Sequence, residues 1–274
     1  MITWIHAVFL GAVQGLTEFL PVSSSGHLVL FQHFMGLKEP EVLLDAFLHA
    51  GTLVAVLIVF RGEIREMLAG AGWVYRSVSG KWIHWSELFE VPAVRMMWLI
   101  AVGTVPTVIV GLVFRERLEL MFGEPCTVGW MLLLTGSIVG ATRFLQKGTR
   151  GLERSGVIDA LVVGLAQGLA IIPGISRSGA TIAVGIFLGM EREWVGRYSF
   201  LLSIPSILGA LFLSWASREE GGVGAFQLLA GATVAGLVGY GALKVLMMLI
   251  TRGKFYGFAP YCGAVGIVTL WGCM

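Results

Sequence analysis

Two short polar segments interrupt an otherwise apolar chain: residues 14–27, reading QGLTEFLPVSSSGH, and residues 173–181, reading PGISRSGAT. The first supplies Gln14 and Glu18, four apart and therefore on one helix face, followed by Ser23, Ser24, Ser25 and His27. The second supplies Ser176, Arg177, Ser178 and Thr181. Each segment ends where a new helix is predicted to begin, so free backbone N–H groups and the positive end of a helix dipole are available to an anion. Arg177 adds a planar fork suited to phosphate oxygens. Glu18 and the amide oxygen of Gln14 are hard oxygen ligands of the kind that Mg2+ or Ca2+ accepts. The serines add donors and a candidate nucleophile, and His27 can act as base, acid or nucleophile. These parts describe hydrolysis of a phosphate ester or anhydride. The plainer alternative is a Glu18–Arg177 ion pair that locks two half-helices together, but a lock needs neither the serines nor the glycines.

The rest of the chain decides where this chemistry happens. Of its 274 residues, 56% are hydrophobic and only 13% charged, with a mean hydropathy of +0.83. A soluble domain carries about a quarter charged residues. The charges gather between long apolar runs, which is the layout of an all-α polytopic membrane protein. Six runs, about 43–60, 93–114, 127–145, 197–216, 224–250 and 256–274, have the length of a spanning helix. Regions 4–35 and 156–190 are apolar but broken by the two polar segments, and their halves are too short to cross alone. Both read as re-entrant hairpins, whose irregular backbone needs protein or a wet cavity around it. A substrate at that depth is lipidic. The net charge of +2 argues against nucleic acid. Cys126, Cys262 and Cys273 read as small apolar fillers. The first apolar run reads as part of the mature protein rather than a signal peptide.

The two broken regions are copies. An offset of 153 residues, the separation of Gln14 and Gln167, also pairs Gly11 with Gly164, Ser23 with Ser176, Ser25 with Ser178 and Gly26 with Gly179. Residues 1–150 and 151–274 therefore form a duplicated unit within one membrane domain, each copy a hairpin followed by three spans. Three crossings start the second copy from the opposite face, so the expected fold is an inverted-topology repeat with its broken helices meeting near the midplane. One face collects Arg61, Arg65, Arg76, Lys81, Lys147, Arg150, Arg154, Arg192, Arg252 and Lys254; the other has Lys38, Arg115, Arg117 and Arg218. The first is predicted to be cytoplasmic, which places both termini outside. The stretch 73–85 reads as a segment lying on the cytoplasmic interface.

The segment from Gln14 to His27, together with that from Pro173 to Thr181, resembles the undecaprenyl-diphosphatase (bacitracin-resistance) family. The likeness extends over the whole chain, including His49 to Thr52 (HAGT) and Arg197 to Pro205 (RYSFLLSIP). It implies a multi-pass enzyme of the bacterial plasma membrane that hydrolyses undecaprenyl diphosphate with the help of a divalent cation. By motif, Gln14 and Glu18 fill the metal positions, Ser24 and His27 the nucleophile and base positions, and Ser176 and Arg177 the phosphate clamp. Many members have Glu in place of Gln14 and Thr in place of Ser25, so this chain offers one carboxylate where others offer two. Which of Ser24 and His27 attacks phosphorus stays open. Ser23, Ser25, Ser178 and Thr181 join as substrate-binding candidates, with Arg197 for the distal phosphate.

His49 and Thr52 are weaker candidates for lining the site. Asp45 reads as a helix cap, Asp159 as a dipole partner and Lys244 as a snorkelling cation. Gly231, Gly236, Gly239 and Gly241 read as helix contacts. A homodimer is a candidate assembly. The competing function class is transport, a lipid flippase or channel on the same inverted-repeat fold; a channel has no need of converging Glu, Ser, His and Arg.

Overall fold

Backbone polar groups in lipid have no water to bond, so apolar runs must satisfy them internally as helices. The computed structural model describes residues 2–36, 42–80, 89–122, 124–216 and 223–273. Its helices are α1 (Trp4–Phe19), α2 (Ser24–Phe34), α3 (Val42–Val59), α4 (Arg61–Gly80), α5 (Pro92–Val113), α6 (Arg115–Met121), α7 (Pro125–Ala141), α8 (Val157–Leu169), α9 (Arg177–Phe187), α10 (Arg192–Ala216), α11 (Ala225–Thr251) and α12 (Ala259–Gly272). Among the described residues no strand forms, and the protein is an all-α polytopic membrane protein.

Each of the two regions expected to form a hairpin is a pair of short helices. α1 opens on a Thr3–His6 capping box and gives way at Leu20, ahead of Pro21. α2 starts from Ser23, which adopts φ +67° and accepts the Gly26 N–H on its hydroxyl. In the second hairpin α8 starts at Gly156, whose N–H donates to the Asp159 carboxylate at 2.7 Å. Asp159 thus caps the helix as well as sitting at its positive end, and it also takes Arg150 at 2.6 Å. α9 begins after Ser176, which accepts the Gly179 N–H.

Glycine lets these helices come together. α1 lies along α11 with Gly11 against Gly231 and Gly15 against Ala235 and Gly239. α8 lies along α5 with Gly164 against Gly103 and Gly168 against Pro106 and Val110. A methyl group at Gly11 or Gly164 would overlap the carbonyl of the glycine opposite, so no other residue permits this approach. In both pairs the contacts advance in the same direction along both chains, so each short helix runs parallel to its partner. α7 and α12 pair the other way: Gly129 meets Gly266 and Gly136 meets Ala259. α10 begins where α11 ends, with Gly196 against Met247 and Ile250. Behind the hairpins, Phe200 packs its ring between Phe19 (5.7 Å) and Phe60 (6.0 Å) in the largest core cluster.

Four helical segments are long and apolar enough to cross a bilayer: Pro92–Val113, Pro125–Phe144, Arg192–Ser214 and Ala225–Thr251. α3 is an apolar helix that turns by 78° into α4. α4 carries the first part of the 73–85 stretch; the remainder, residues 81–85, lies outside the described residues, as do Lys38 and Arg218. The run expected at 256–274 is shorter than a continuous span. A 3-10 turn, Phe255–Phe258, precedes α12 because Pro260 has no N–H to bond backwards and sets the helix start.

Two expectations need correction. Cys126 and Cys273 are not fillers: antiparallel packing of α7 on α12 brings them to a Cα separation of 5.9 Å, and they form a disulfide. Cys262 remains a buried thiol, donating to the Pro21 carbonyl at 3.3 Å. Gly231, Gly236 and Gly239 are helix contacts, whereas a Cβ at Gly241 would meet nothing within 4 Å. Lys244 holds its ammonium 4.4 Å from the centre of the Tyr240 ring.

Candidate active site

The two polar loops cross. Ser23 Oγ accepts the Gly174 N–H at 3.1 Å. Gly26 lies against Gly174, and Gly179 lies against Pro21. Because Gly26 corresponds to Gly179 and Pro21 to Gly174 at the 153-residue offset, these two contacts are one contact with the copies exchanged. The same exchange holds inside each loop. Ser23 stands 3.4 Å from Ser25, and Ser176 stands 3.2 Å from Ser178. It holds for the supports too: Thr135 on α7 donates to the Gly174 carbonyl at 2.9 Å, and Cys262 on α12 to the Pro21 carbonyl.

At this crossing Glu18 is the hub. Its Oε1 accepts from Arg177 Nη2 at 2.5 Å. Its Oε2 accepts from Ser24 Oγ at 2.6 Å and from Gln14 Nε2 at 3.0 Å. His49 Nδ1 stands 2.9 Å from Gln14 Nε2 and 3.5 Å from Glu18 Oε2. The Glu18 side chain is 5% exposed and that of Arg177 15%. A buried carboxylate is tolerable only when its lone pairs are met, and here Arg177, Ser24 and Gln14 donate to them. Two polar atoms nearby remain buried with no partner: Gln14 Oε1 and Arg177 Nη1. Buried unpaired atoms beside a carboxylate and a serine are what a site looks like before its ligand arrives.

The sequence candidates separate into groups. Gln14, Glu18, Ser24 and Arg177 converge. Ser23, Ser25, Ser176 and Ser178 build the two turns that hold them. Thr181 is consumed internally, donating to the Arg177 carbonyl at 2.8 Å and standing 2.5 Å from Ser199. His27 has both ring nitrogens engaged away from the hub: Nδ1 lies 2.8 Å from the Ser23 carbonyl and Nε2 2.8 Å from the Tyr261 hydroxyl. Since a carbonyl can only accept, Nδ1 carries the hydrogen and Tyr261 donates to Nε2. Arg197 pairs with Glu193 at 2.5 Å and Glu63 at 3.6 Å, on the side of α4 rather than at the hub. Thr52 bonds to its own helix carbonyls, the nearer at 2.9 Å. Asp45 accepts from Gln32 at 2.8 Å. His49 enters the hub more fully than its sequence position suggested. Tyr261 was missed altogether; its partner lies 234 residues away and no local pattern marks it.

Comparison with known proteins identifies the family. The chain is similar over 97% of its length to the undecaprenyl-diphosphatases of Desulfosudis oleivorans (47% identical, 97% of that protein) and Desulfatibacillum aliphaticivorans (46%, 98% of that protein). It is 41% identical to that of Carboxydothermus hydrogenoformans, over 97% of this chain and 95% of the relative. The sequence profile of bacitracin resistance protein BacA matches residues 7–268, nearly the whole chain, and the chain belongs to the BacA family.

Proposed function

We propose that this chain hydrolyses undecaprenyl diphosphate to undecaprenyl phosphate and inorganic phosphate. The product lipid returns to peptidoglycan synthesis, and bacitracin resistance follows from that recycling. The names of its full-length relatives support the reading. One observation carries it: the Ser24 hydroxyl donates to a buried carboxylate that also holds Arg177, whose second nitrogen is unpaired.

In this mechanism Arg177 Nη1 takes an oxygen of the terminal phosphate. Ser24 Oγ attacks the terminal phosphorus while its proton passes to Glu18 Oε2. The bridging P–O bond breaks, and Glu18 gives the proton to the departing lipid monophosphate. Glu18 then takes a proton from water, whose oxygen attacks the phosphoserine. The P–Oγ bond breaks, the proton goes back to Ser24, and inorganic phosphate leaves. Ser24 serves better than His27 as nucleophile, because its base is already in hydrogen-bond contact. His27 instead holds the Ser23 turn.

A divalent cation, Mg2+ or Ca2+, belongs in this proposal at Gln14 and Glu18. Among the described residues no three His, Cys, Asp or Glu gather as ligands. The donor set still fits, because turning the Gln14 amide over brings its unpaired Oε1 beside Glu18 Oε2. When bound, the cation supplies positive charge to the diphosphate oxygens.

The placement in a bacterial plasma membrane, with both termini outside and an inverted-topology repeat, belongs to the same proposal. Two observations support it. The short helices of the two hairpins follow partners, α11 and α5, from opposite copies. The Cys126–Cys273 bridge lies at the end of the bundle away from Arg150, Arg192 and Arg252, and disulfides persist on the oxidising side of a membrane.

The test is release of inorganic phosphate from a polyprenyl diphosphate by the purified protein in detergent, with Ser24→Ala as control. Activity lost in Ser24→Ala supports the reading. A protein that releases no phosphate yet moves lipid phosphate across vesicles would be a transporter.

A further inference from the structure

We propose, independently of the phosphatase reading, that the turn following α11 binds the headgroup of an anionic phospholipid. The turn, residues 252–258, carries Arg252 and Lys254. Two further cations reach it from other elements. Arg143, just past the end of α7, holds its guanidinium 5.5 Å from the centre of the Tyr256 ring. Arg192, which opens α10, lies against Gly253: a Cβ there would fall 1.9 Å from Arg192 Nη1, and the φ of +71° favours glycine as well. Among the described residues no ion pair or side-chain hydrogen bond engages any of these four cations.

Helix ends do not neutralise them. The C-terminal ends of α7 and α11 each present about half a negative charge, and the N-terminal end of α10 about half a positive one. A net of about half a negative charge therefore faces four positive ones. Membrane orientation does not explain them either, because the positive-inside bias requires cations on one side but not the exclusion of acids from one corner. No Asp or Glu occurs between Glu124 and Glu153 or after Glu220, so the segments that build α7, α11, α12 and this turn carry no carboxylate. Glu191, the acid next to Arg192, turns toward Gly151 and lines a separate cavity with Glu63, Glu66 and Glu193.

Unmatched cations so gathered fit a phosphate. Arg192 at position 253 and Arg143 at position 256 stand on either side of Lys254 along the turn, and each offers a planar fork to phosphate oxygens. Beside them Phe144 is 84% exposed and Tyr256 36%, aromatic rings of the kind that sit at headgroup level. A soluble anion has no use for that apolar wall; a phospholipid lays its acyl chains on it.

The probe is phosphatidylglycerol, with phosphatidylcholine as the neutral reference, added to delipidated protein in neutral detergent and followed by native mass spectrometry. Wild type should retain phosphatidylglycerol in preference to phosphatidylcholine, and retention should fall as salt is raised. Each cation removed should weaken phosphatidylglycerol binding about fivefold, so Arg143→Gln/Arg192→Gln/Lys254→Gln should weaken it about a hundredfold. Arg61→Gln/Arg65→Gln/Arg76→Gln removes the same charge from α4 and should leave binding nearly unchanged. Lys254→Gln alone alters one exposed side chain and keeps the test open should the triple variant not fold. Equal retention of the two lipids by wild type overturns the proposal. So does a loss in the α4 variant as large as that in the turn variant, which would mean diffuse charge and no site. Displacement of the lipid by inorganic phosphate at matched concentration would make the turn a soluble-anion site and overturn it too.

Discussion

Removing Arg177 leaves Glu18 with a buried, half-paired negative charge, and the cost is calculable. The pair is 15% and 5% exposed, so solvent screens it little. Taking one partner from a buried pair typically costs about 3–5 kcal/mol, most of it the penalty of the charge left behind. Arg177→Met should therefore destabilise the protein by roughly that amount. Glu18→Gln in the same chain removes the stranded charge. The double variant should then recover at least about 2 kcal/mol relative to the sum of the single losses. Unfolding in mixed micelles, followed by tryptophan fluorescence, measures all four species. Phosphate release is measured alongside and should not recover, because the double variant has lost both the clamp and the base. Arg177→Ala should lower turnover by about 10^3-fold or more, roughly 4 kcal/mol of transition-state stabilisation. Arg177→Lys should lose most of it too, since a point charge cannot reach carboxylate and phosphate with separate nitrogens. Additive stability losses would refute the buried-pair reasoning. Near-normal, chelator-sensitive turnover in Arg177→Ala would refute the clamp.

Glu18→Gln should raise the metal concentration needed as well as lower the rate, and Gln14→Glu should be tolerated and tighten cation binding. An unchanged metal requirement in Glu18→Gln, with only a slower rate, would leave Glu18 as base alone. Tyr261→Phe and His27→Gln should both lower stability by about 1 kcal/mol, the loss of a part-buried hydrogen bond. They should slow turnover far less than Ser24→Ala; loss as complete as that of Ser24→Ala would return His27 to the reaction itself. Single cysteines at positions 38, 76, 150 and 252, in a chain lacking Cys126, Cys262 and Cys273, should label with an impermeant thiol reagent only at position 38 in intact cells. Labelling at 150 but not 76 would break the inverted repeat. In the unsubstituted chain, Cys126 and Cys273 should become reactive from outside only after reduction.

The hairpins were legible because breaks and helix caps are local. Pro21, Ser23, Pro173 and Ser176 punctuate apolar sequence within a few residues of where the helices stop and start. Glu18 and Arg177 were legible because charge inside an apolar region is costly and needs a reason. What stayed hidden depends on separation. The Cys126–Cys273 bridge spans 147 residues, and nothing in an apolar run distinguishes a bridged cysteine from a filler. His27 stands three residues after Ser24, yet it turns to Tyr261, because the left-handed Ser23 turn offers it a carbonyl on the far side. Arg197 was taken toward phosphate on its proximity to the second hairpin; Glu193 one turn earlier and Glu63 on α4 claim it instead. The short final helix depended on the reach of one proline, Pro260, which hydropathy does not register.

The duplicated scaffold also explains why the chemistry needs both copies and yet is not duplicated. At the 153-residue offset Ser24 corresponds to Arg177, and both occupy the first residue of a half-helix. Exchange-related contacts bring those two positions to the crossing, where they bond opposite oxygens of one carboxylate. The equivalent of Glu18 is Ile171, and that of His49 is Leu202. Gln14 and its counterpart Gln167 are identical, but Gln167, with Ile171 and Leu202 about it, bonds to Thr107 at 3.2 Å and Ser206 at 2.8 Å. A second carboxylate at position 171 would be an unpaired charge at a half-buried position packed against Gly111. In the proposed mechanism one copy supplies the base and the nucleophile, and the other the cation that holds the phosphate. Restoring symmetry should destroy function: Ile171→Glu places an acid where no Arg177 equivalent can pair it, because that position is Ser24. Such a variant should lose stability at neutral pH and regain part of it on acidification, as the added carboxyl takes up its proton below its raised folded pKa. Stability unchanged with pH in Ile171→Glu would mean that the crossing is wetter, and its asymmetry less constrained, than its buried side chains imply.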